Sequence, residues 1–230
     1  NIPISICIAI CVAILIGYIN SFLIRFLKIH PFIITMSTML ILKGLNLAVT
    51  DGKVISDFPE AFSRIGSFRP FGVSLSVITF IVLAIVWYIL AKNNKKFLQV
   101  YFVGGNVESA KLSGINTDKV LRFVYMQSAL LAGIAGVLST FVYNSSSCNF
   151  GQGVELRVIT AVAIGGTSLT KGGVGSIGGT LLGSLFMALI YNSFVMSGIS
   201  TYYQDVVTGI MLIVAVLFSE AIEKKRRAHV

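Results

Sequence analysis

Seven apolar stretches divide the chain, at Ile4–Ile24, Phe32–Val49, Val73–Ala91, Val120–Val142, Leu156–Ser168, Ile177–Phe194 and Tyr202–Phe218. Most approach twenty residues, the length at which a helix crosses the hydrocarbon core of a bilayer, and the stretch at Leu156–Ser168 is shorter. A helix satisfies its own backbone hydrogen bonds, which lipid cannot do for it. The pattern therefore predicts an all-α integral membrane protein, a polytopic helical bundle of about seven spans, with residues 1–230 forming a single transmembrane domain. A signal peptide ahead of a soluble domain would show one apolar run near the start; here the runs continue to the C-terminal region.

The polar positions orient that bundle. Placing the Lys224–Arg227 tail and the loop Lys92–Arg122 in the cytoplasm puts thirteen basic residues inside, Arg25, Lys28 and Lys171 among them. Only Lys53, Arg64 and Arg69 then lie outside, with Lys43 and Arg157 at intermediate depth. Cytoplasmic loops are enriched in Lys and Arg, so the C-terminus is expected in the cytoplasm and Asn1 outside. The largest outer loop, Asp51–Phe71, carries Asp51, Asp57, Glu60, Arg64 and Arg69, and Pro59 and Pro70 argue against a long helix there. The chain opens on Asn1 inside an apolar run, so N-terminal spans are expected to precede it.

Composition agrees. Hydrophobic residues make up 55% and charged residues 12%, about half the charge of a soluble domain, with mean hydropathy +0.87. The net charge of +9 sits at span ends rather than on one face, which argues for the bilayer and against nucleic acid as the partner. Cys7, Cys11 and Cys148 are too few and too scattered for a metal site, and are expected to pack within helices. His30 and His229 lie beside basic residues without a carboxylate pair near either. No catalytic, cofactor-binding or metal-binding set is expected, and no cofactor.

Three segments carry more information. The loop at residues 92–122 contains a short helix-compatible stretch, Val107–Leu112, preceded by Gly104 and Gly105 and ended by Gly114, with Glu108 and Lys111 on one helical face. Its mixture of apolar and charged residues suits a protein partner. Gly175, Gly179 and Gly183 recur every four residues beside Gly178, and would let a neighbouring helix approach closely; Ala132, Gly136 and Thr140 repeat that spacing. The run Gly165–Ser176 is glycine-rich but departs from a phosphate-binding loop on both sides of Lys171, where Thr170 precedes and Gly172 follows, so a tight turn is expected and ATP binding is not. Polar groups at membrane depth are sparse, and Asn20, Glu155 and Asp205 are the candidates for a solute pathway.

With these segments located, the chain resembles the permease subunits of bacterial ribose-type importers of the ATP-binding-cassette (ABC) class, a group that includes permeases for xylose, galactosides and autoinducer-2. Gly17–Leu45, Gly104–Ile115, Gly153–Ser184 and Gly198–Leu217 carry the resemblance. It implies a bacterial plasma-membrane protein, a second permease in a homo- or heterodimer, an ABC ATPase subunit at the cytoplasmic face and an extracytoplasmic solute-binding protein. It also implies that the loop at residues 92–122 is the coupling loop, with Gly104, Gly105, Asn106, Glu108, Ala110, Leu112 and Gly114 contacting the ATPase. Such permeases have around ten spans, so the chain would match their C-terminal two thirds or so. Arg157 departs from the family, whose members commonly place an acidic residue after the Glu-Leu pair. Nucleoside and branched-chain amino-acid permeases share the looser pattern. An ion-coupled carrier would bury more carboxylates, and a retinal-type seven-helix receptor would need a lysine in Tyr202–Phe218, which has none.

The charge distribution yields a direct test of topology. Single cysteines at Asn94 and Asn116 are expected to react only with reagents that reach the cytoplasm, and one at Ser63 only from outside. Labelling of Asn116 from outside sealed cells would overturn the orientation.

Overall fold

The computed structural model describes residues 1–56, 58–169 and 171–227, without the side chains of Phe71, Thr201, Tyr202 and 218–227. Asp57, Thr170, His229 and the side chains of the Lys224–Arg227 tail, all used above, thus lie outside the described set.

Among the described residues ten α-helices follow one another: α1 (Ile2–Leu27), α2 (Pro31–Thr50), α3 (Glu60–Ser67), α4 (Leu75–Asn93), α5 (Lys95–Gly105), α6 (Val107–Leu112), α7 (Thr117–Tyr143), α8 (Val154–Ile164), α9 (Ile177–Met196) and α10 (Thr201–Arg227). Five of them, α1, α2, α4, α7 and α9, are long and apolar enough to cross a membrane, and α10 contains a shorter apolar stretch, Tyr203–Leu217. Among the described residues the only β pairing is an isolated antiparallel bridge between Ile55 and Ser146. The chain is therefore a helical, multi-pass membrane protein.

The fifth expected span, the short one, differs. Over Leu156–Ser168 the chain forms α8, eleven residues long. At 1.5 Å per residue it reaches about 16 Å, roughly half of a hydrocarbon core about 30 Å thick. Gly165 and Gly166 end it, and a glycine-rich loop continues to α9.

The helices fall into two compact units. The first comprises residues 1–82 and 116–150, the second residues 83–115 and 151–230, with α4 shared between them. In the first unit, α1 lies along α7. The contact uses Gly17, where an added Cβ would stand 2.6 Å from both Ala129 Cβ and the Tyr125 carbonyl oxygen, and Gly133, where it would stand 2.8 Å from Ala13 Cβ. The face of α7 that meets α1 thus carries the Tyr125 backbone carbonyl and the small residues Ala129 and Gly133, at positions spaced by four. The face expected from sequence, Ala132, Gly136 and Thr140, is a different one: Ala132 is exposed and a Cβ on Gly136 would meet nothing within 4 Å. Both faces have suitable spacing, and partner geometry chose between them.

At one end of this unit Arg25 bonds Asp118 at 3.3 Å, and Arg122 stands over the Tyr18 ring. The outer loop forms the eight-residue α3 between Pro59 and Pro70, as short as those prolines require. Gly66 brings α3 against the backbone of Phe141 on α7, and Phe62 stacks between Phe58 and Phe141. Cys148 packs against Thr50 Oγ1 at 3.1 Å. Cys7 and Cys11, expected to pack, are instead exposed on α1 beside Ile4, Ile8 and Val12, a face whose apolar character suits lipid.

Replacement of Gly17 by Ala is expected to destabilise the protein by about 1–3 kcal/mol, because the methyl group has no room against the α7 backbone. Gly136→Ala is expected to be neutral or stabilising by up to about 1 kcal/mol, since alanine is the better helix former. Unfolding midpoints of the two variants in lipid or detergent check this, and equal shifts would remove Gly17 from the interface.

Candidate functional site: the coupling segment and its glycine seam

Three asparagines set the boundaries of the segment between α4 and α7. Asn94 Oδ1 accepts from the Lys96 amide at 2.9 Å and opens α5. Asn106 Oδ1 accepts from the Ser109 amide at 3.0 Å and opens α6, and Asn116 Oδ1 accepts from the Lys119 amide at 3.0 Å and opens α7. Asparagine suits each position because its short carbonyl reaches an amide that the helix leaves unpaired. The C-terminal end of α6 is closed by Gly114 at φ +77°, with the Gly114 amide bonding the Lys111 carbonyl and the Ile115 amide bonding the Ala110 carbonyl. This left-handed closure favours glycine over residues with a Cβ.

The structure thus distributes the expected coupling residues into different roles. Asn106 is the cap, Gly114 the terminator and Ala110 the buried anchor at 4% exposure. Glu108 is exposed, and Leu112 projects almost wholly into its surroundings at 91% exposure.

Gly104 and Gly105, adjacent in sequence, differ in kind. A Cβ on Gly105 would meet nothing within 4 Å. One on Gly104 would stand 2.5 Å from the Gly173 amide nitrogen and 3.1 Å from the Gly172 carbonyl carbon. The converse holds across the contact: a Cβ on Gly172 would strike the Gly104 backbone, and one on Gly173 would stand 2.6 Å from the Tyr101 carbonyl oxygen and 2.7 Å from the Gly105 nitrogen. Gly173 also adopts φ +77°. The end of α5, immediately before α6, is therefore keyed backbone-to-backbone into the glycine-rich loop between α8 and α9. Within that loop, expected as a tight turn, the Ser168 amide bonds the Val174 carbonyl and the Lys171 amide bonds Ser168 Oγ. The doubled glycines at 104–105 and 172–173 were the available signal in the sequence, but spacing alone cannot pair one doublet with the other.

The same device continues from the loop into the helices. A Cβ on Gly179 would strike the Gly165 carbonyl oxygen, and one on Gly183 the Ala161 carbonyl oxygen, so α9 meets α8 with bare backbone. Gly175 precedes α9 rather than lying on it, and faces the Thr167 side chain at φ +148°. Gly178, beside Gly179, faces open space. Leu182, Leu185 and Leu189 are exposed along α9, while Met187 is buried.

The candidate pathway residues do not form one group. Asn20 Oδ1 accepts from Thr38 Oγ1 at 2.7 Å between α1 and α2, in the first unit. Glu155 and Asp205 belong to the second unit, Glu155 half-buried in the first turn of α8. Asp205 bonds Arg157 at 3.2 Å. Arg157, whose neighbour Glu155 points elsewhere on the helix, thereby finds its partner on α10.

These features define a polytopic membrane protein in which a short helix, α6, follows directly on a backbone contact between α5 and the α8–α9 loop. A family model described as "Branched-chain amino acid transport system / permease component" matches residues 1–216, and the chain belongs to that family. It is similar to the ribose import permease proteins of Haemophilus influenzae (37% identity over 86% of this chain and 62% of the relative) and Bacillus subtilis (36%, 86% and 62%). It is also similar to the D-allose transport system permease protein of Escherichia coli, at 33% identity over 90% of this chain and 63% of the relative. The chain spans less than two thirds of the length of these curated relatives. No solved structure matches it.

Gly104→Ala is expected to destabilise the α5–loop contact by about 1–3 kcal/mol, whereas Gly105→Ala should change stability by less than about 1 kcal/mol. Hydrogen exchange of the amides at Gly172 and Gly173, read beside the global unfolding midpoint, checks the contrast; equal protection in both variants would show that the seam is not close-packed.

Proposed function

We propose that the chain is the membrane-spanning permease subunit of an ATP-driven ABC importer for a monosaccharide or a related small polar solute. The observation that carries this reading is α6, a capped helix held rigidly at both ends with Leu112 and Glu108 presented outward, in a chain whose relatives are named as ribose and D-allose permeases. In this reading residues 92–122 are the cytoplasmic coupling loop of one transmembrane permease domain, and α6 docks on a separate ABC ATPase. A second permease completes the pathway, an extracytoplasmic binding protein delivers the solute, and the C-terminus lies in the cytoplasm of a bacterium. Hydrolysis belongs to the ATPase; this chain converts movement at α6 into opening at one membrane face.

The seam supplies a physical route for that conversion within the second unit. Displacement of α6 moves α5, and movement of Gly104 toward the loop presses directly on the backbone of Gly172 and Gly173. The loop is continuous with α8 and α9, which are locked through Gly165, Gly179 and Gly183. Coupling through packed backbone transmits displacement because there is no side chain to re-orient in place of the helix. The family description names branched-chain amino acids, while the similar curated proteins are named for sugars, and this favours a sugar.

Glu108→Lys, Leu112→Asp and Gly114→Val are each expected to reach the membrane in normal amount, retain docking of the binding protein and lose most ATP-dependent uptake. Co-purification of the ATPase should weaken in parallel, since the first two alter the contact surface and the third opposes positive φ at the α6 terminus. Full uptake and full ATPase association in all three would remove α6 from the coupling role. Because Asn94 and Asn116 are helix caps, Lys111 is the less disruptive position for a topology-reporting cysteine.

A further inference from the structure

At the ends of α8 and α9 remote from the glycine loop, three helices of the second unit assemble a polar cluster. Arg157 is in the first turn of α8, Tyr191 near the C-terminal end of α9, and Gln204, Asp205 and Thr208 in the first two turns of α10. The Arg157 guanidinium bonds Asp205 Oδ1 at 3.2 Å and stands 4.6 Å from the centre of the Tyr191 ring. The Tyr191 hydroxyl is hydrogen-bonded to Thr208 Oγ1, and Thr208 donates to the Gln204 carbonyl. Gln204 and Thr208 are four residues apart and share one face of α10, at 5% and 4% exposure. The Gln204 carboxamide is therefore carried on the side of α10 that meets Tyr191.

Two buried donors in this cluster have no partner: Arg157 Nε and Gln204 Nε2. A buried donor left unsatisfied costs about 1–3 kcal/mol, so a cluster with two of them is poised to accept oxygen atoms from outside the chain. The charges already present cancel, Arg157 against Asp205, with the carboxylate near the N-terminus of α8, about 4 Å from where a Cβ on Gly153 would lie. Such a site has no net charge to offer an anion or a cation. It offers unpaired N–H donors, a carboxylate with a free oxygen side at 74% exposure, and aromatic surface, the complement of a neutral polyhydroxylated molecule.

We propose that Arg157, Gln204 and Asp205 form a solute subsite that hydrogen-bonds a neutral sugar, with Tyr191 and Thr208 positioning Arg157 and α10. The inference rests on the importer reading and names a part of its pathway. It places recognition in the permease itself, at the end of α8–α10 that lies outside in the proposed topology, where delivered solute would first be met. It also gives Arg157 a role: a shorter acidic side chain at that position could neither bridge to Asp205 nor lie over Tyr191.

The test is saturation-transfer NMR on the full-length permease in lipid nanodiscs, with D-ribose, D-allose and L-arabinose as probes and L-leucine as the zwitterionic comparison. Transfer to at least one sugar and none to L-leucine is expected. Gln204→Met and Arg157→Lys should each weaken the apparent affinity by about tenfold, the size of one lost charge-assisted or buried hydrogen bond, without lowering the unfolding midpoint. Arg157→Lys keeps the charge opposite Asp205 and removes the Nε donor, so it separates recognition from stability. Sugar binding unchanged in both variants, absence of transfer to any of the sugars, or preference for L-leucine would overturn the subsite. Uptake by the assembled importer, measured in parallel, separates the two readings: sugar uptake without variant-sensitive binding sinks the subsite alone, whereas absence of sugar uptake sinks the importer reading with it.

Discussion

Close approach of backbone to backbone is the constraint on which this structure depends. Lipid is as apolar as leucine, so helices in a bilayer gain nothing by hiding leucines from it, and association rests on packing and polar contacts instead. Glycine allows that packing its shortest distance. Gly179 and Gly183 set α9 against the carbonyls of Gly165 and Ala161, Gly17 sets α1 against α7, and Gly66 sets α3 against Phe141. The bulky side chains point the other way: Leu182, Leu185 and Leu189 on α9 and Ile4, Ile8, Val12 and Leu15 on α1 are all exposed. Helix contacts made through glycine, with leucine and isoleucine turned outward, differ from the arrangement water selects.

The second unit shows what such packing can do beyond stability. One end of it carries α6, a short helix whose boundaries are fixed by an asparagine cap and a glycine terminator. The other carries the Arg157–Asp205 pair among Tyr191, Gln204 and Thr208. Between them run α8 and α9 and the loop keyed into Gly104. A short half-helix is well suited to this position: α8 covers only part of a membrane thickness, and the remaining distance is covered by a loop whose glycines adopt positive φ at 166, 173 and 175. A helix that ends midway leaves its terminus available to a pathway, which a complete span would not.

Much of this was legible in the chain before folding. Hydropathy located the long helices to within a few residues, since a stretch of that composition and length has no other stable state in lipid. Prolines 59 and 70 bounded α3, and the Val107–Leu112 helix with its flanking glycines could be read directly, because capping is a local interaction between neighbours in sequence. The resemblance carried by Gly104–Ile115 and Gly153–Ser184 agrees with the family to which the chain belongs. These are properties of short segments, and short segments are what a sequence describes well.

The pairings were decided elsewhere. Two faces of α7 had small residues spaced by four, and only the shape of α1 selected Ala129 and Gly133, with the Tyr125 carbonyl beside them, over Ala132, Gly136 and Thr140. Gly104 and Gly105 are the same residue side by side, yet one is wedged against Gly173 and the other open, because a helix turns by about 100° between them. Arg157 had Glu155 two residues away and paired with Asp205, forty-eight residues on, since adjacent positions on a helix point apart and α10 brought the carboxylate within reach. The sequence by itself determined a helical membrane protein, its long spans and the short helix Val107–Leu112. Tertiary structure decided which glycine meets which backbone and which charge meets which, because those contacts depend on the distance and rotation between helices that share no local sequence.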